Sequence, residues 1–208
     1  MNSPLSQSKD HGSLALPWFT ALLASLTIAC FAVFGPTPEA LLWDRQAIET
    51  GQVWRLVTGH FVHTDIEHLA WNMGAYGLLG GALESAFRIG VRRQLLLLVF
   101  AAATVDAVVH WQRPDLDFYA GLSGVLNAYF VALLLCLWRR YRHPATALAA
   151  VGLVIKIGLE MGAGSSLLGV GLWSAVPEAH AAGAVAGLLF GLPYLRRRRP
   201  VQAHAAGG

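Results

Sequence analysis

Four polar residues have the side chains that an acyl-transfer site needs. Ser123 is a candidate nucleophile and His180 a candidate base, because an imidazole within hydrogen-bond reach of a hydroxyl group can take its proton. His68 and Asn72 stand four residues apart, which puts them on one face of a helix. Their N–H groups, with the backbone N–H of Ser123, could stabilise the oxyanion of a tetrahedral intermediate. These residue types predict a serine hydrolase, provided that the fold brings them together.

Glycine residues accompany both members of the candidate Ser–His pair. Two of them flank the serine and would let a substrate backbone approach closely. Three follow the histidine at intervals of four, and such a stripe of small residues lets two helices pack tightly. The spacing therefore predicts a close contact between the helices that carry the pair. The glycines are Gly121, Gly124, Gly183, Gly187 and Gly191.

The elements that must position these residues are predicted to be membrane-spanning helices. Of the 208 residues, 55% are hydrophobic and only 13% are charged, whereas soluble domains carry about 25% charged residues. Long stretches hold no charge at all, and they exceed what a soluble core of this size can bury. The composition excludes a soluble enzyme, a DNA-binding domain and a disordered tail. The uncharged stretches are 12–38, 68–83, 118–138, 161–177 and 179–195.

The predicted fold is an all-α membrane protein with six spans, each long enough for about 30 Å of hydrocarbon. The spans are 16–34, 66–84, 94–111, 119–138, 145–161 and 178–195. Acidic and basic connections alternate between them, which predicts that both termini are cytoplasmic. The predicted divisions of the chain are a polar cytoplasmic tail (1–15), a six-helix membrane domain (16–195) and a basic cytoplasmic tail (196–208).

This topology brings the four candidate residues to one level of the membrane. Spans two, four and six all enter from the outer side, and each candidate lies in the first turn or two of its span. Three helices therefore converge on one predicted site just below the outer surface.

The loop between the first two spans is long and faces the outside in this topology. Residues 38–48 have the pattern of an amphipathic helix. Trp54 and Arg55 suit the headgroup layer, where the ring lies in the interface and the cation reaches phosphate. The loop is predicted to lie on the outer leaflet, where it could shape access to the site.

Other polar residues allow different interpretations. Lys156 and Glu160 stand four apart in the fifth span, which predicts either a charge-neutralised ion pair or a pair that recognises or gates a substrate. Buried charges can also mark the ion path of a transporter, but the chain shows no internal repeat. Three histidines and a glutamate around the start of the second span could suggest a metal site. No His-Glu-x-x-His motif is present, however, and no metal is predicted. The residues concerned are His60, His63, Glu67 and His68.

Four motifs occur in an order that resembles the rhomboid intramembrane serine proteases. They are Trp54-Arg55, His68-Leu-Ala-Trp-Asn72, Gly121-Leu-Ser123-Gly124 and Ala179-His180-Ala-Ala-Gly183-Ala-Val-Ala-Gly187. Within that family the chain is most similar to the rhombosortases, because it carries Gly-Leu-Ser-Gly-Val-Leu at 121–126 and the Lys156–Glu160 pair.

The resemblance implies a six-helix rhomboid-like bundle with a Ser123–His180 dyad, no catalytic Asp and no cofactor. It also implies an oxyanion site that includes His68, Asn72 and Ser123. Seven further residues are expected to support the site. They are Gly121, Gly124, Asn127, Gly183, Gly187, Trp54 and Arg55.

One residue departs from the family pattern. Asn127 stands where typical rhomboids carry a Tyr that packs against the catalytic histidine. His180 is therefore expected to be oriented by a hydrogen bond to Asn127 or by a neighbouring aromatic ring. The aromatic candidates are Trp71, Tyr76 and Tyr119.

The predicted function is proteolysis of membrane-anchored proteins in the bacterial cytoplasmic membrane, at a site facing the periplasm or the outside. The resemblance implies exported substrates whose C-terminal tail consists of Gly-Gly, an apolar helix and an Arg cluster. Two alternatives stay open: a generic rhomboid protease with other single-span substrates, and a non-catalytic protein that binds transmembrane clients. Partners are thus transmembrane proteins and lipid, without nucleic acid. The acyl-enzyme could be resolved by water or by another nucleophile, and the sequence does not determine the oligomeric state.

Overall fold

The computed structural model describes residues 16–164 and 176–196, and this part of the chain is largely helical. The six long helices are α1 (Trp18–Phe34), α4 (Ile66–Gly81), α5 (Val91–Gln112), α6 (Ser123–Tyr141), α7 (Pro144–Ala163) and α8 (Pro177–Arg196). Short elements lie between them: β1 (Trp43–Asp44), α2 (Arg45–Glu49), α3 (Arg55–Thr58), a 3₁₀ turn (Gly59–Phe61), a π turn (Ala82–Ala86) and β2 (Phe118–Tyr119).

Each segment predicted to span the membrane coincides largely with one of these six long helices. Two of them, α5 and α7, are long and apolar enough to cross a membrane by length and composition, and α1 is an apolar helix of 17 residues. The count of six spans and the orientation of the termini stay predictions. The tail 1–15, and 197–208 of the basic tail, lie outside the described residues.

Helix α6 packs against α4, α5, α7 and α8. Its contact with α8 is close because glycines of α8 lie against the α6 backbone. A Cβ atom on Gly187 would stand 2.5 Å from the Ala128 carbonyl oxygen, and one on Gly183 would collide with the Gly124 carbonyl oxygen. This is the close packing that the glycine spacing predicts.

The buried core between α4, α5 and α6 contains aromatic rings as well as aliphatic side chains. Tyr76 and Tyr129 are both buried and meet edge to face, with 5.5 Å between ring centroids. The Tyr129 hydroxyl donates a hydrogen bond to the Gln94 carbonyl oxygen at 3.1 Å. These contacts join α4, α5 and α6 to one another.

The loop after α1 differs from its prediction. Residues 38–48 contain a turn, the strand β1 and the five-residue helix α2 rather than one amphipathic helix. Arg55 was expected to reach lipid phosphate, but it is buried and its Nη1 donates to the Leu42 carbonyl oxygen at 2.7 Å. Trp54 is half exposed, and its indole N–H donates to the Ala40 carbonyl oxygen at 3.1 Å. The expectation for Arg55 was wrong because carbonyl groups of the loop itself satisfy the guanidinium.

A short antiparallel sheet fastens this loop to the segment before α6. Trp43 pairs with Tyr119, and Asp44 pairs with Phe118. The residue after β1, Arg45, donates to carbonyl oxygens in the last turn of α5 and in the segment that follows it, where few intrahelical donors are left. These acceptors are Val109, His110, Arg113 and Leu116, at 2.9–3.1 Å.

The first turn of α1 is hydrogen-bonded to a buried carboxylate in the π turn that follows α4. Glu84 accepts hydrogen bonds from the backbone N–H of Phe19 at 3.0 Å and of Thr20 at 2.9 Å, and from the Thr20 hydroxyl at 2.8 Å. A negative charge at a helix N-terminus is favourable, because the N–H groups there have no intrahelical acceptor.

Candidate active site

Ser123 and His180 meet where α6 and α8 begin. Ser123 is the first residue of α6, and its Oγ lies 3.1 Å from Nε2 of His180. His180 stands one turn inside α8 and is buried. The pair is 57 positions apart in the chain, and the glycine contacts between α6 and α8 bring it together.

The turn before Ser123 needs glycine at position 121. Gly121 has a φ of +105°, which residues with a Cβ rarely adopt. A Cβ there would also stand 2.6 Å from both Cε1 and Nε2 of His68. Its N–H donates to the Gly59 carbonyl oxygen at 3.1 Å. The turn is therefore held against the 3₁₀ turn, with the His68 ring packed on it.

His68 lies in the first turn of α4, and its ring is oriented by residues just before that helix. Asp65 caps α4 by accepting the His68 backbone N–H at 2.8 Å. The Thr64 hydroxyl lies 2.9 Å from the Asp65 carboxylate and 3.1 Å from His68 Nδ1. Because an ionised carboxylate only accepts, Thr64 donates to Asp65 and accepts from Nδ1 of His68. Neutral His68 then carries its proton on Nδ1 and has an unprotonated Nε2 beside the Ser123 turn.

Asn72 is buried one turn further along α4. Its Nδ2 donates to the His68 carbonyl oxygen at 2.8 Å, which anchors the side chain to its own helix. An amide nitrogen carries two N–H bonds, so one stays available for a ligand. The Oδ1 atom has no hydrogen-bond partner among the described residues.

The second ring nitrogen of His180 faces a carboxylate from α7. Glu160 Oε2 lies 2.9 Å from His180 Nδ1, and the Glu160 side chain is fully buried. Lys156 Nζ lies 2.8 Å from each Glu160 oxygen, and its side chain is about one quarter exposed, at 28%. The i, i+4 ion pair expected from the sequence is present, but it also contacts the candidate base.

The expected sources of His180 orientation make other contacts. Asn127 donates from Nδ2 to the Ser123 carbonyl oxygen at 2.8 Å. Tyr76 packs on Tyr129, Tyr119 meets the His60 ring edge to face at 5.7 Å, and Trp71 is exposed. Among the described residues, the hydrogen-bond partner of His180 Nδ1 is the Glu160 carboxylate, which accepts from it. The sequence pattern does not reveal this contact, because the i, i+4 spacing of Lys156 and Glu160 already accounts for the carboxylate.

Gly124 lies close to the residue before His180, and a polar side-chain pair joins the 3₁₀ turn to α5. A Cβ on Gly124 would stand 3.0 Å from the Ala179 carbonyl oxygen, beside His180. Asp106 pairs with His60 Nε2 at 3.2 Å. Within 16–164 and 176–196 no group of three or more His, Cys, Asp or Glu residues has the arrangement of a metal site.

Titratable groups just before α4 and just after α5 have shifted pKa values. A hydrogen bond from the His68 N–H holds the pKa of Asp65 below its usual range. Burial, together with the neighbouring His68 ring, lowers the pKa of His63 to about 4. Hydrogen bonds from Arg113 lower the pKa of Asp115. Arg113 also donates to Glu178 at 2.9 Å and so ties the end of α5 to the start of α8.

Comparison with known proteins supplies independent information. A family model described as Rhomboid domain matches residues 50–197. The chain is similar to the Rhomboid protease GlpG of Haemophilus influenzae, with 28% identity over 144 residues, which is 69% of this chain and 70% of that protein.

Two further relatives are longer than this chain. RHOMBOID-like protein 6, mitochondrial, of Arabidopsis thaliana is 28% identical over 125 residues, which is 59% of this chain and 40% of that protein. The Rhomboid protease GlpG of Enterobacter sp. is 28% identical over 115 residues, which is 53% of this chain and 40% of that protein. The chain thus spans about two-fifths of the length of these relatives.

Proposed function

The chain belongs to the rhomboid family, and on that premise we propose that it is an intramembrane serine protease. Ser123 is the nucleophile and His180 is the general base. The observation that carries the proposal is the distance of 3.1 Å between Ser123 Oγ and His180 Nε2. This is within the range expected of a nucleophile and its base.

The proposed reaction begins when His180 Nε2 takes the proton of Ser123 and Oγ attacks the carbonyl carbon of the scissile peptide bond. The tetrahedral intermediate carries its negative charge on the former carbonyl oxygen. When it collapses, the C–N bond breaks and His180 returns the proton to the leaving amine. The acyl-enzyme is then resolved by water or by another nucleophile, which His180 deprotonates in turn.

The proposed oxyanion site uses N–H groups that converge near Ser123. The Ser123 backbone N–H lies at the start of α6, where N–H groups have no intrahelical acceptor. Asn72 contributes an amide N–H in any protonation state. His68 contributes from Nε2 only when its ring holds a second proton, because Thr64 accepts from Nδ1. The negative charge of the intermediate favours that doubly protonated form.

The proposed substrates are membrane-anchored proteins that are cut near the outer face of the bacterial cytoplasmic membrane. The resemblance of 121–126 and of Lys156–Glu160 to the rhombosortases favours exported proteins with a Gly-Gly, apolar-helix and Arg-cluster tail. A generic rhomboid protease with other single-span substrates is the alternative. A non-catalytic protein that binds transmembrane clients is the third.

The test uses two reporters in cells, one with the Gly-Gly sorting tail and one with a single span that lacks Gly-Gly and the Arg cluster. Ser123→Ala and His180→Ala, at normal abundance, are expected to abolish cleavage. Ser85→Ala and His143→Ala are matched controls, since Ser85 bonds its own helix at Gly81 and His143 lies at the start of α7. Both controls are expected to cleave normally.

Each outcome separates the candidates. Cleavage restricted to the Gly-Gly reporter supports the rhombosortase-like activity, and cleavage of both reporters supports the generic protease. Cleavage that persists in both site variants overturns the protease proposal. Binding of a reporter without cleavage by the unchanged chain supports the client-binding alternative.

A further inference from the structure

We propose that Glu160 is the positioning residue of His180, so that the site works as a Ser–His–Glu arrangement instead of the Ser–His dyad that the resemblance implies. This inference rests on the proposed protease function. Glu160 Oε2 lies 2.9 Å from His180 Nδ1, and His180 Nε2 lies 3.1 Å from Ser123 Oγ. The two contacts use the two ring nitrogens of one histidine.

The carboxylate determines which nitrogen of His180 holds the proton. An ionised carboxylate has no hydrogen to donate, so the Glu160–His180 contact requires a proton on Nδ1. In neutral His180 the lone pair is then on Nε2, which faces Ser123 Oγ. This is the tautomer that can accept the serine proton. After the transfer, the positive charge on the imidazolium lies next to the negative charge of Glu160.

The ammonium group of Lys156 lets Glu160 stay ionised in a buried position. An isolated carboxylate away from water is costly and would take up a proton instead. Lys156 Nζ contacts both carboxylate oxygens at 2.8 Å, so a positive charge lies directly against the buried carboxylate. Lys156 thus supports the Ser–His–Glu arrangement through its contact with Glu160.

The position of Glu160 on α7 also argues for a role at the site. Leu153 and Glu160 are the only buried side chains on this helix, and much of its remaining surface is apolar and exposed. Glu160 lies one turn from the end of α7, where the helix packs against α8. One of the two side chains that α7 buries is therefore a carboxylate directed at His180.

The decisive experiment measures cleavage kinetics of purified full-length protein against pH for Glu160→Gln, Glu160→Asp and the control Glu49→Gln, which changes an exposed glutamate. Glu160→Gln is expected to lower kcat by about 10³-fold or more, since loss of the orienting acid in a serine protease costs about 10⁴. The Gln amide can donate to Nδ1 and so favours the wrong tautomer. Glu160→Asp is expected to recover at least about tenfold of the loss.

The pH profile distinguishes positioning from simple structural support. Without the carboxylate, protonation of His180 is less favourable, so the acidic limb of the kcat/KM profile in Glu160→Gln is expected to move to lower pH. A purely structural defect would lower kcat/KM at every pH by the same factor and would leave the acidic limb at its original pH. Normal kcat with an unmoved profile in Glu160→Gln, while Ser123→Ala abolishes cleavage, overturns this inference and leaves the proposed function intact. Cleavage that persists in Ser123→Ala overturns the proposed function itself.

Two further variants separate a loss of activity from a loss of folding. Lys156→Met leaves the Glu160 charge without its ammonium partner and is expected to lower thermal stability as well as activity. Lys156→Met combined with Glu160→Gln removes both charges and is expected to recover stability but not activity. Recovery of activity in the stable double variant overturns the proposed role of Glu160.

Discussion

At the level of single residues, the two site histidines differ in what their second ring nitrogen contacts. His180 Nδ1 faces the Glu160 carboxylate, which leaves Nε2 as an acceptor toward Ser123. His68 Nδ1 faces the Thr64 hydroxyl, and its Nε2 edge lies against the turn at Gly121. One histidine is therefore prepared to accept a proton, and the other donates only after gaining one.

This difference predicts unequal roles in the oxyanion site. Asn72→Ala is expected to lower kcat by about 10²–10³ with little change in KM, which is typical of losing one oxyanion donor. His68→Ala is expected to cost less than Asn72→Ala above neutral pH, where the His68 ring is neutral and cannot donate from Nε2. Steady-state kinetics of both variants at pH 6 and pH 8 measure the difference.

Gln112→Ala is the control, since it removes an exposed amide at the end of α5 and is expected to leave kcat unchanged. An Asn72→Ala variant with unchanged kcat at both pH values would remove Asn72 from the oxyanion site. A larger loss for His68→Ala than for Asn72→Ala at pH 8 would mean that neutral His68 donates.

At the level of elements, the contact between α6 and α8 determines the separation of Ser123 and His180. Gly183 of α8 lies directly on the Gly124 carbonyl group, one residue after Ser123. A methyl group on Gly183 would therefore push the start of α6 away from α8. The same backbone atoms thus govern both packing stability and the geometry of the candidate pair.

Gly183→Ala is expected to lower the free energy of unfolding by about 1–3 kcal/mol, the usual cost of overpacking. Cleavage is expected to fall by at least about tenfold, because small displacements of reacting groups are costly. Gly152→Ala is the matched control, since a Cβ there meets nothing within 4 Å. Thermal unfolding in detergent and reporter cleavage measure the two effects. Wild-type cleavage in Gly183→Ala would contradict the close-contact argument.

The start of α4 makes stability depend on pH in a defined direction. His63 is buried, and its pKa is lowered to about 4 by burial and by the neighbouring His68 ring. Below a pH of about 6.5 the His63 ring takes up a proton in the unfolded chain, whereas in the folded chain it stays neutral until the pH approaches 4. Stability is therefore expected to fall as the pH drops from neutral toward 4. The depressed pKa of Asp65 acts in the same direction, because its capping carboxylate is lost at still lower pH.

His63→Gln is expected to reduce this dependence. The drop in Tm between pH 7 and pH 5 should become smaller by several degrees in the variant, while the exposed-site control His143→Gln should behave as the unchanged chain does. Thermal unfolding at the two pH values is the measurement. An unchanged drop in His63→Gln would show that other groups govern the acid sensitivity.

At the level of the whole molecule, the sequence predicted the long helices better than the contacts between them. Runs such as 94–111 must form helices in lipid, because no other local structure satisfies every backbone group there. The motifs around Ser123 and His180 indicated the pair for chemical reasons. The Glu160–His180 contact was not predictable in this way. It depends on how α7 packs against α8, and this packing leaves no periodic pattern in the sequence.

The loops were predicted least well. Trp43 and Tyr119 pair across the short sheet although 76 positions separate them, and two-residue strands have no recognisable pattern. Arg55 carries a charge that suggested an exposed position, but its acceptors are carbonyl groups that fold back onto it. Such satisfaction by backbone atoms depends on the path of the loop and not on residue type.

The arrangement of charge around the bundle leads to a last prediction, on topology. Arg113, Asp115 and Glu178 cluster at the end where α5 finishes and α8 begins, which is also the end that holds Ser123. Basic residues lie at the opposite end, at the start of α5 and the end of α6. They are Arg92, Arg93, Arg139 and Arg140.

Positive residues are retained on the cytoplasmic side of bacterial membranes. A reporter fused after residue 142 is therefore expected to be active only in the cytoplasm, and one fused after residue 115 only outside it. Two reporter enzymes are used, one active only in the cytoplasm and one active only after export. Each is fused at both positions, and the four activities must agree on one orientation. An active exported reporter at 142 would mean that the orientation is the reverse of the predicted one, with the candidate site on the cytoplasmic side.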